Sequence, residues 1–173
     1  MLIDAGPRDQ RPARAVPDYG LIYRGEVLEE DLTIAGTVRV TLHVQSDCPD
    51  TDFVVKLIEL LPDGRAMLLM DGVVRAMYRD GSAEPRPLVP DQVCRLTIGL
   101  GDIHHTFRAG SRIEVDVTSS NFPRRARNTN SGHPLLANDG EADIRIATNT
   151  VHHGDTAPSF IELPVLPAKS ASG

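Results

Sequence analysis

The clearest signal along the chain is a strict alternation of apolar and polar side chains. In TVRVTLHVQS (37–46), Val38, Val40, Leu42 and Val44 face one way and Arg39, Thr41, His43 and Gln45 the other. A period of two predicts a strand with one buried face, because successive side chains on a pleated backbone point to opposite sides. RIEVDVTSS (112–120) repeats the pattern with Ile113, Val115 and Val117 inward. VCRLTIGL (93–100) places Cys94, Leu96, Ile98 and Leu100 on one face. DFVVKLIELL (52–61) is apolar on both faces, which predicts a central strand between two layers. Shorter strands are predicted at 19–24, 66–70, 73–79, 143–151 and 159–165.

Turn chemistry punctuates these runs. LPDGR has Pro62 early and Gly64 late, suited to a tight hairpin, and SDCPDTD, MDG, FRAGS and ANDG mark further turns. With 13 prolines and no sustained 3.6-residue apolar stripe, the only helix suggested is a short one around 134–137. About ten short strands at fairly regular spacing predict an all-β fold, a jelly-roll β-sandwich. The expected organisation is a connector over 1–17, one sandwich domain over 18–167, and a disordered tail over 168–173.

At 173 residues the chain is long enough for one domain with a substantial core. Its net charge of −6 argues against nucleic acid as a partner, since phosphate backbones need clustered positive charge. No apolar run approaches the roughly 20 residues that span a bilayer, so no membrane partner is expected. Cys48 and Cys94 are read as free thiols, which fits a cytoplasmic setting.

The chemistry of a catalyst is missing. No Gly-x-Ser-x-Gly turn occurs, and Gly81-Ser82 and Gly110-Ser111 lie in turns with no helix following. There is no phosphate-cradling loop and no zinc-ligand cysteine spacing, so neither cofactor nor metal is expected. Two groupings offer weaker metal readings. His152 and His153 with Asp155 could ligate an ion, although adjacent strand residues point apart and a surface pair is the plainer reading. Asp47, Asp50 and Asp52 could offer oxygens to calcium, although such aspartates more often bond backbone amides in turns.

The segment SSNFPRRARNTNSG (119–132) leaves a core strand and carries Arg124, Arg125 and Arg127 beside Phe122. Arginines there could meet carboxylates across an interface as planar bidentate partners; a solvated loop is the alternative. In DGVVRAMYR (71–79), Arg75 and Arg79 share the strand parity of Met77. A covered arginine there would demand an acid, with Asp52 or Asp71 the expected partner.

Several stretches together resemble one family. GPRDQRP (6–12), DTDFVVKLIELLPDGRA (50–66), DGVVRAMYR (71–79), FRAGSRIEVDVTSSNFPRRARNTNSG (107–132) and PSFIELPVLP (158–167) are similar, in order and spacing, to the C-terminal domain of X-prolyl dipeptidyl-peptidase and cocaine-esterase type serine hydrolases. The resemblance implies a jelly-roll sandwich whose partner is a separate α/β-hydrolase domain. That domain would hold the catalytic Ser, Asp and His, so no catalytic residue is expected here. It also implies that the chain is a piece of a larger enzyme or a companion to one. Residues 119–132 would then form a connection near the domain interface. Ser119 and Ser120 would satisfy backbone groups, Phe122 and Pro123 would act as an apolar wedge, and Arg124 to Asn128 would supply polar contacts. Asp52, Arg75, Arg79, Ser119, Ser120, Phe122, Pro123, Arg124 and Asn128 are the candidate interdomain or structural residues.

A structural domain that stabilises a hydrolase and shapes its cleft is therefore the leading expectation, with homo-oligomerisation through an uncovered patch as a corollary. A free-standing carbohydrate- or ligand-binding module of the galactose-binding-like kind is the alternative. The lack of tryptophan, with only 3 Tyr and 4 Phe, argues against sugar stacking. A self-sufficient esterase lacks a nucleophile context.

Overall fold

The structure is a computed structural model that describes residues 7–81 and 84–167. The first six residues of the expected connector, Ser82, and the tail expected over 168–173 lie outside the described residues. Two antiparallel sheets form a sandwich. The first has the order β1 (Arg8–Asp9), β5 (Ala66–Arg75), β4 (Asp52–Leu60), β7 (Arg112–Thr118), β2 (Leu21–Val27). In the second, β3 (Leu32–Ser46) pairs with β6 (Cys94–Phe107) on one side. On the other it pairs with the short β8 (Asn149–His152) and β9 (Phe160–Glu162). The all-β sandwich expected from the alternation is what the chain forms.

The period-2 pattern sets which faces meet. Val38, Val40, Leu42 and Val44 of β3 join Leu96, Ile98 and Leu100 of β6 in one core cluster with Phe53, Val55 and Leu57 of β4. Full burial of each such side chain contributes about 1.5–3 kcal/mol. The β3–β6 ladder runs without a break from Leu32↔Phe107 to Val44↔Cys94 apart from one register shift at Val38. It therefore extends well past the 37–46 and 93–100 alternations.

Strand β4 is buried from Phe53 to Glu59 on both faces, as its apolar sequence predicts. Its second face is covered by chain that is not strand. Gln10, the four-residue helix α1 (Arg11–Arg14) and Tyr19 lie over Lys56, whose Nζ donates to Gln10 Oε1 (3.2 Å) and the Tyr19 hydroxyl (3.1 Å). Arg14 donates to Asp116 Oδ1 and Glu114 Oε2, both at 2.7 Å, on carboxylates with no exposed surface. Burial lowers the pKa of the Lys56 ammonium and raises that of the Tyr19 hydroxyl. Residues read as a surface connector are thus tied down by one strand pair and a charge network.

MDG, expected to turn, instead lies inside β5, and the separate strands expected at 66–70 and 73–79 are one. The strand absorbs the irregularity as a register shift opposite Leu57/Ile58. Gly72 is there because the sheets nearly touch: a Cβ would come 2.7 Å from the Gly99 carbonyl oxygen. Residues 76–78 form a 3-10 turn, and the strand expected over 143–151 is confined to Asn149–His152. The short helix expected around 134–137 is a single 3-10 turn at Leu136–Asn138.

Candidate interdomain face

Between β7 and β8 the chain makes a long excursion over 119–148 with no strand, only 3-10 turns at Leu136–Asn138 and Glu141–Asp143. Long connections without regular structure inside a compact domain are usually functional. This one is held by buried polar groups.

The first anchor is Asp50, whose carboxylate has no exposed surface. It accepts hydrogen bonds from Arg75 Nε (2.5 Å), the Met77 amide (3.0 Å) and Asn128 Nδ2 (3.1 Å). The Asn128 amide also donates to Asp52 Oδ1 at 2.8 Å. Arg75 sits at the end of β5, and its remaining nitrogens donate to the Pro134 carbonyl (2.8 Å) and the His133 carbonyl. One guanidinium thus joins a strand end, a buried acid and two backbone carbonyls of the excursion. Its face lies over the Tyr78 ring, 5.3 Å from the centroid. Burial pushes the Asp52 carboxyl above its usual range, against the Asn128 hydrogen bond that pulls it down.

The acid expected to meet Arg75 was Asp52 or Asp71; it is Asp50. Asp52 is the direct cross-strand neighbour of Arg75, but the guanidinium turns past it toward the turn that precedes β4. Arg79 takes no acid in the contacts described. It donates to the carbonyls of Ala76 (3.1 Å) and Arg86 (2.6 Å). Asp71 instead accepts from Asn121 Nδ2 at 2.6 Å and pairs with Arg124 at 3.3 Å, fixing the start of the excursion over the outer sheet face.

The second anchor is Asp139, also without exposed side-chain surface. It accepts from Ser131 Oγ (2.6 Å) and Thr129 Oγ1 and bonds His133 Nδ1 at 2.5 Å. These bonds, Ser131 first, hold its carboxyl down at about 2. Arg145 closes the loop through its amide to Thr129 (2.9 Å), and Asn149 Nδ2 donates to Ser119 Oγ at 2.8 Å, clasping the two ends of the excursion. Ser120 Oγ accepts from the Phe122 amide at 3.4 Å, and its carbonyl accepts from Thr118 Oγ1 at 3.1 Å.

Held in this way, the excursion turns large apolar side chains to solvent. Phe122, Leu135 and Ile144 are about 60% exposed and Ile146 is 96% exposed. Phe122 precedes Pro123 through a cis bond, and the Arg127 guanidinium lies 4.7 Å above its ring. Pro123, Arg124 and Arg125 are exposed beside it.

The two metal readings find no assembled site. His152 Nε2 bonds Gln45 and His153 Nε2 bonds the Tyr23 hydroxyl, so the pair diverges. Asp47 accepts from the Thr148 amide, and Asp50 and Asp52 serve the anchor above. A grouping the sequence did not suggest, His133, Asp139 and Asp143, has its donor atoms within 4.8 Å of one another. They are already engaged: His133 with Asp139, and Asp143 with the Gly140 amide at 2.9 Å. Of the two anchors, the sequence offered Asp50 only as a possible calcium ligand or turn aspartate, and Asp139 not at all. The available signal was an aspartate placed in a Pro-rich turn just before a core strand, and another in a Gly-flanked turn within a long polar connection.

Residues 9–162 match the family described as the X-Pro dipeptidyl-peptidase C-terminal non-catalytic domain. The chain is 39% identical over 163 residues to cocaine esterase of Rhodococcus sp. (strain MB1 Bresler), covering 94% of this chain but 28% of that one. An aminopeptidase from a marine sediment Thaumarchaeota archaeon superposes with a TM-score of 0.88 at 33% identity, over 93% of this chain and 28% of its own. An α-amino-acid ester hydrolase superposes with a TM-score of 0.88 at 34% identity, over 92% and 27%. The chain therefore spans little more than a quarter of these relatives. Among the described residues no helix is long and apolar enough to cross a membrane. On the strength of a match running from Asp9 to Glu162, the chain belongs to the X-Pro dipeptidyl-peptidase C-terminal non-catalytic domain family.

Proposed function

We propose that this domain packs against the α/β-hydrolase domain of a serine hydrolase, stabilising it and shaping one wall of its active-site cleft. The observation that carries the reading is the 119–148 excursion. Its backbone is fixed by buried carboxylates, while Phe122, Leu135, Ile144 and Ile146 stay uncovered. Exposed apolar side chains on a rigid support are what a contact surface requires. Arg124, Arg125 and Asn128 would supply its polar rim and inner support. The relatives' names, an esterase, an aminopeptidase and an ester hydrolase, support acyl or peptidyl transfer to water as the reaction of the partner. The unpaired thiols of Cys48 and Cys94 support a reducing, cytoplasmic setting.

The test uses source cells treated with a biotinylated fluorophosphonate, followed by precipitation with an antibody to this chain. A labelled band much larger than 18.8 kDa under denaturing conditions supports a covalent hydrolase tail. A labelled partner recovered only under native conditions supports a separate catalytic chain. An 18.8 kDa band that itself takes the label, or no labelled protein in either case, overturns the proposal.

A further inference from the structure

We infer that the gap between the two sheets, at their β2–β9 side, is a binding pocket for a small neutral aromatic alcohol of the phenol class. The sandwich does not close there. Val115 and Val117 of β7 face Val40 and Leu42 of β3, with Val151 of β8 and Ile161 of β9 completing the walls of a cleft of about 190 Å³. Close-packed interiors fill such gaps with side chains; here Val40, Val115, Val117 and Val151 are too short to reach across. An apolar cavity of roughly 150 Å³ accommodates benzene, so this one accepts a single ring with a small substituent and nothing much larger.

The polar groups at the pocket choose the ligand's head. Tyr23 and His153 stand edge to face with ring centroids 5.2 Å apart, and the Tyr23 hydroxyl and His153 Nε2 are 3.0 Å apart. The pair shares one proton, which leaves a lone pair on the phenolic oxygen for a ligand hydroxyl to donate to. Ser159, the other polar lining residue, is taken: it accepts from the His43 amide (2.9 Å) and donates to the His152 carbonyl (2.7 Å). Among the described residues no aspartate, glutamate, lysine or arginine lines the cleft. A carboxylate or ammonium ligand would lose its hydration with no permanently charged side chain to replace it, the one titratable imidazole, His153, being engaged by the Tyr23 hydroxyl, so the occupant is neutral. Phe160, partly exposed at the mouth, can stack on the ring.

The experiment is a titration of the isotope-labelled 173-residue chain with phenol, following the valine methyl resonances. Phenol is expected to give saturable ring-current shifts at Val115, Val117 and Val151, and benzoate none. Val151→Phe fills the cleft and should abolish the shifts. Tyr23→Phe keeps the cavity and should weaken phenol about fivefold, the value of one neutral hydrogen bond, while leaving benzene unchanged. Absence of saturable shifts with phenol, equal binding of benzoate, or a folded Val151→Phe chain that still binds would each overturn the assignment. Equal loss of benzene and phenol in Tyr23→Phe would overturn the hydroxyl's part in it. Binding of N-acetyltyrosine amide as tight as phenol would mean that the occupant is a side chain of another polypeptide, and would overturn the free-ligand reading.

Discussion

Two stretches without regular strands are fastened to the five-stranded sheet, and they are fastened in opposite ways. The N-terminal stretch from Gln10 to Tyr19 brings the cation, Arg14, and the sheet supplies the acids, Glu114 and Asp116. In the 119–148 excursion the cation, Arg75, belongs to the sheet. The excursion offers it only the carbonyls of His133 and Pro134, with the Asn128 amide on Asp50. A segment held by its own charged side chain must lie face down, and Arg14 is accordingly almost wholly covered. The exposed Arg124 pairs with Asp71 at the start of the excursion, but most of its ties run through backbone carbonyls and short polar side chains, which leaves its large apolar side chains free to face outward, and Phe122, Leu135, Ile144 and Ile146 do so. The first arrangement closes the domain; the second presents a surface.

The comparison breaks most severely at Asp50. Asp50→Ala leaves the Arg75 guanidinium, the Met77 amide and the Asn128 amide short of their shared acceptor. Removing one partner of a buried charge pair costs about 3–5 kcal/mol. The expected result in denaturant melts is a loss of that size, with amide exchange accelerated over 128–139 before it rises elsewhere. A uniform rise in exchange across both sheets would mean that Asp50 supports the sandwich and not the excursion.

Arg14→Ala should cost less, about 2–3 kcal/mol. Glu114 keeps Arg24, and Asp116 keeps the Tyr19 hydroxyl at 2.8 Å. Exchange should rise at Gln10 and in β1 while the excursion stays protected. Loss of protection over 119–148 in this variant would show that the two fastenings are one coupled unit.

Asp139 sharpens the contrast through pH. Its folded carboxyl sits at about 2 against an ordinary 3.8, so the folded state favours the ionised form. A depressed acid contributes stability that is complete above the unfolded value and lost as pH falls through the folded one. Asp139→Asn should therefore melt below the wild type at pH 6, and the gap should close between pH 3.8 and about 2. A gap that persists unchanged at pH 2 would assign the loss to side-chain geometry instead of charge.

The sheets were legible in the sequence because period-2 alternation is a local property: β3, β4, β6 and β7 were all read from their own residues. Register irregularities were less so. MDG looks like a turn because Gly follows Asp, yet Gly72 answers to Gly99 across the sandwich, a contact no local window contains. The fastenings were the least legible. The arginine needing an acid could be recognised, but strand pairing places Asp52 opposite Arg75, and only the path of the preceding turn brings Asp50 closer. Likewise Asp139 gains its partners from Thr129, Ser131 and His133 because the excursion folds back on itself.

The smallest stability effect should accompany the clearest test of the outward face. Phe122→Ser and Ile146→Ser remove side chains that touch little: Ile146 is 96% exposed, and the main contact described for Phe122 is the Arg127 guanidinium. Exposed sites of this kind usually move stability by no more than about 0.5 kcal/mol. An uncovered apolar patch, however, drives association. We expect the wild-type chain to self-associate as its concentration rises; the double variant should match it in denaturant midpoint yet sediment as a monomer over the same range. Arg14→Ala, at the face-down fastening, should do the reverse, lowering the midpoint without relieving association. A double variant that unfolds early would mean that Phe122 and Ile146 help to support the excursion, and the division between a closing segment and a presenting one would fall.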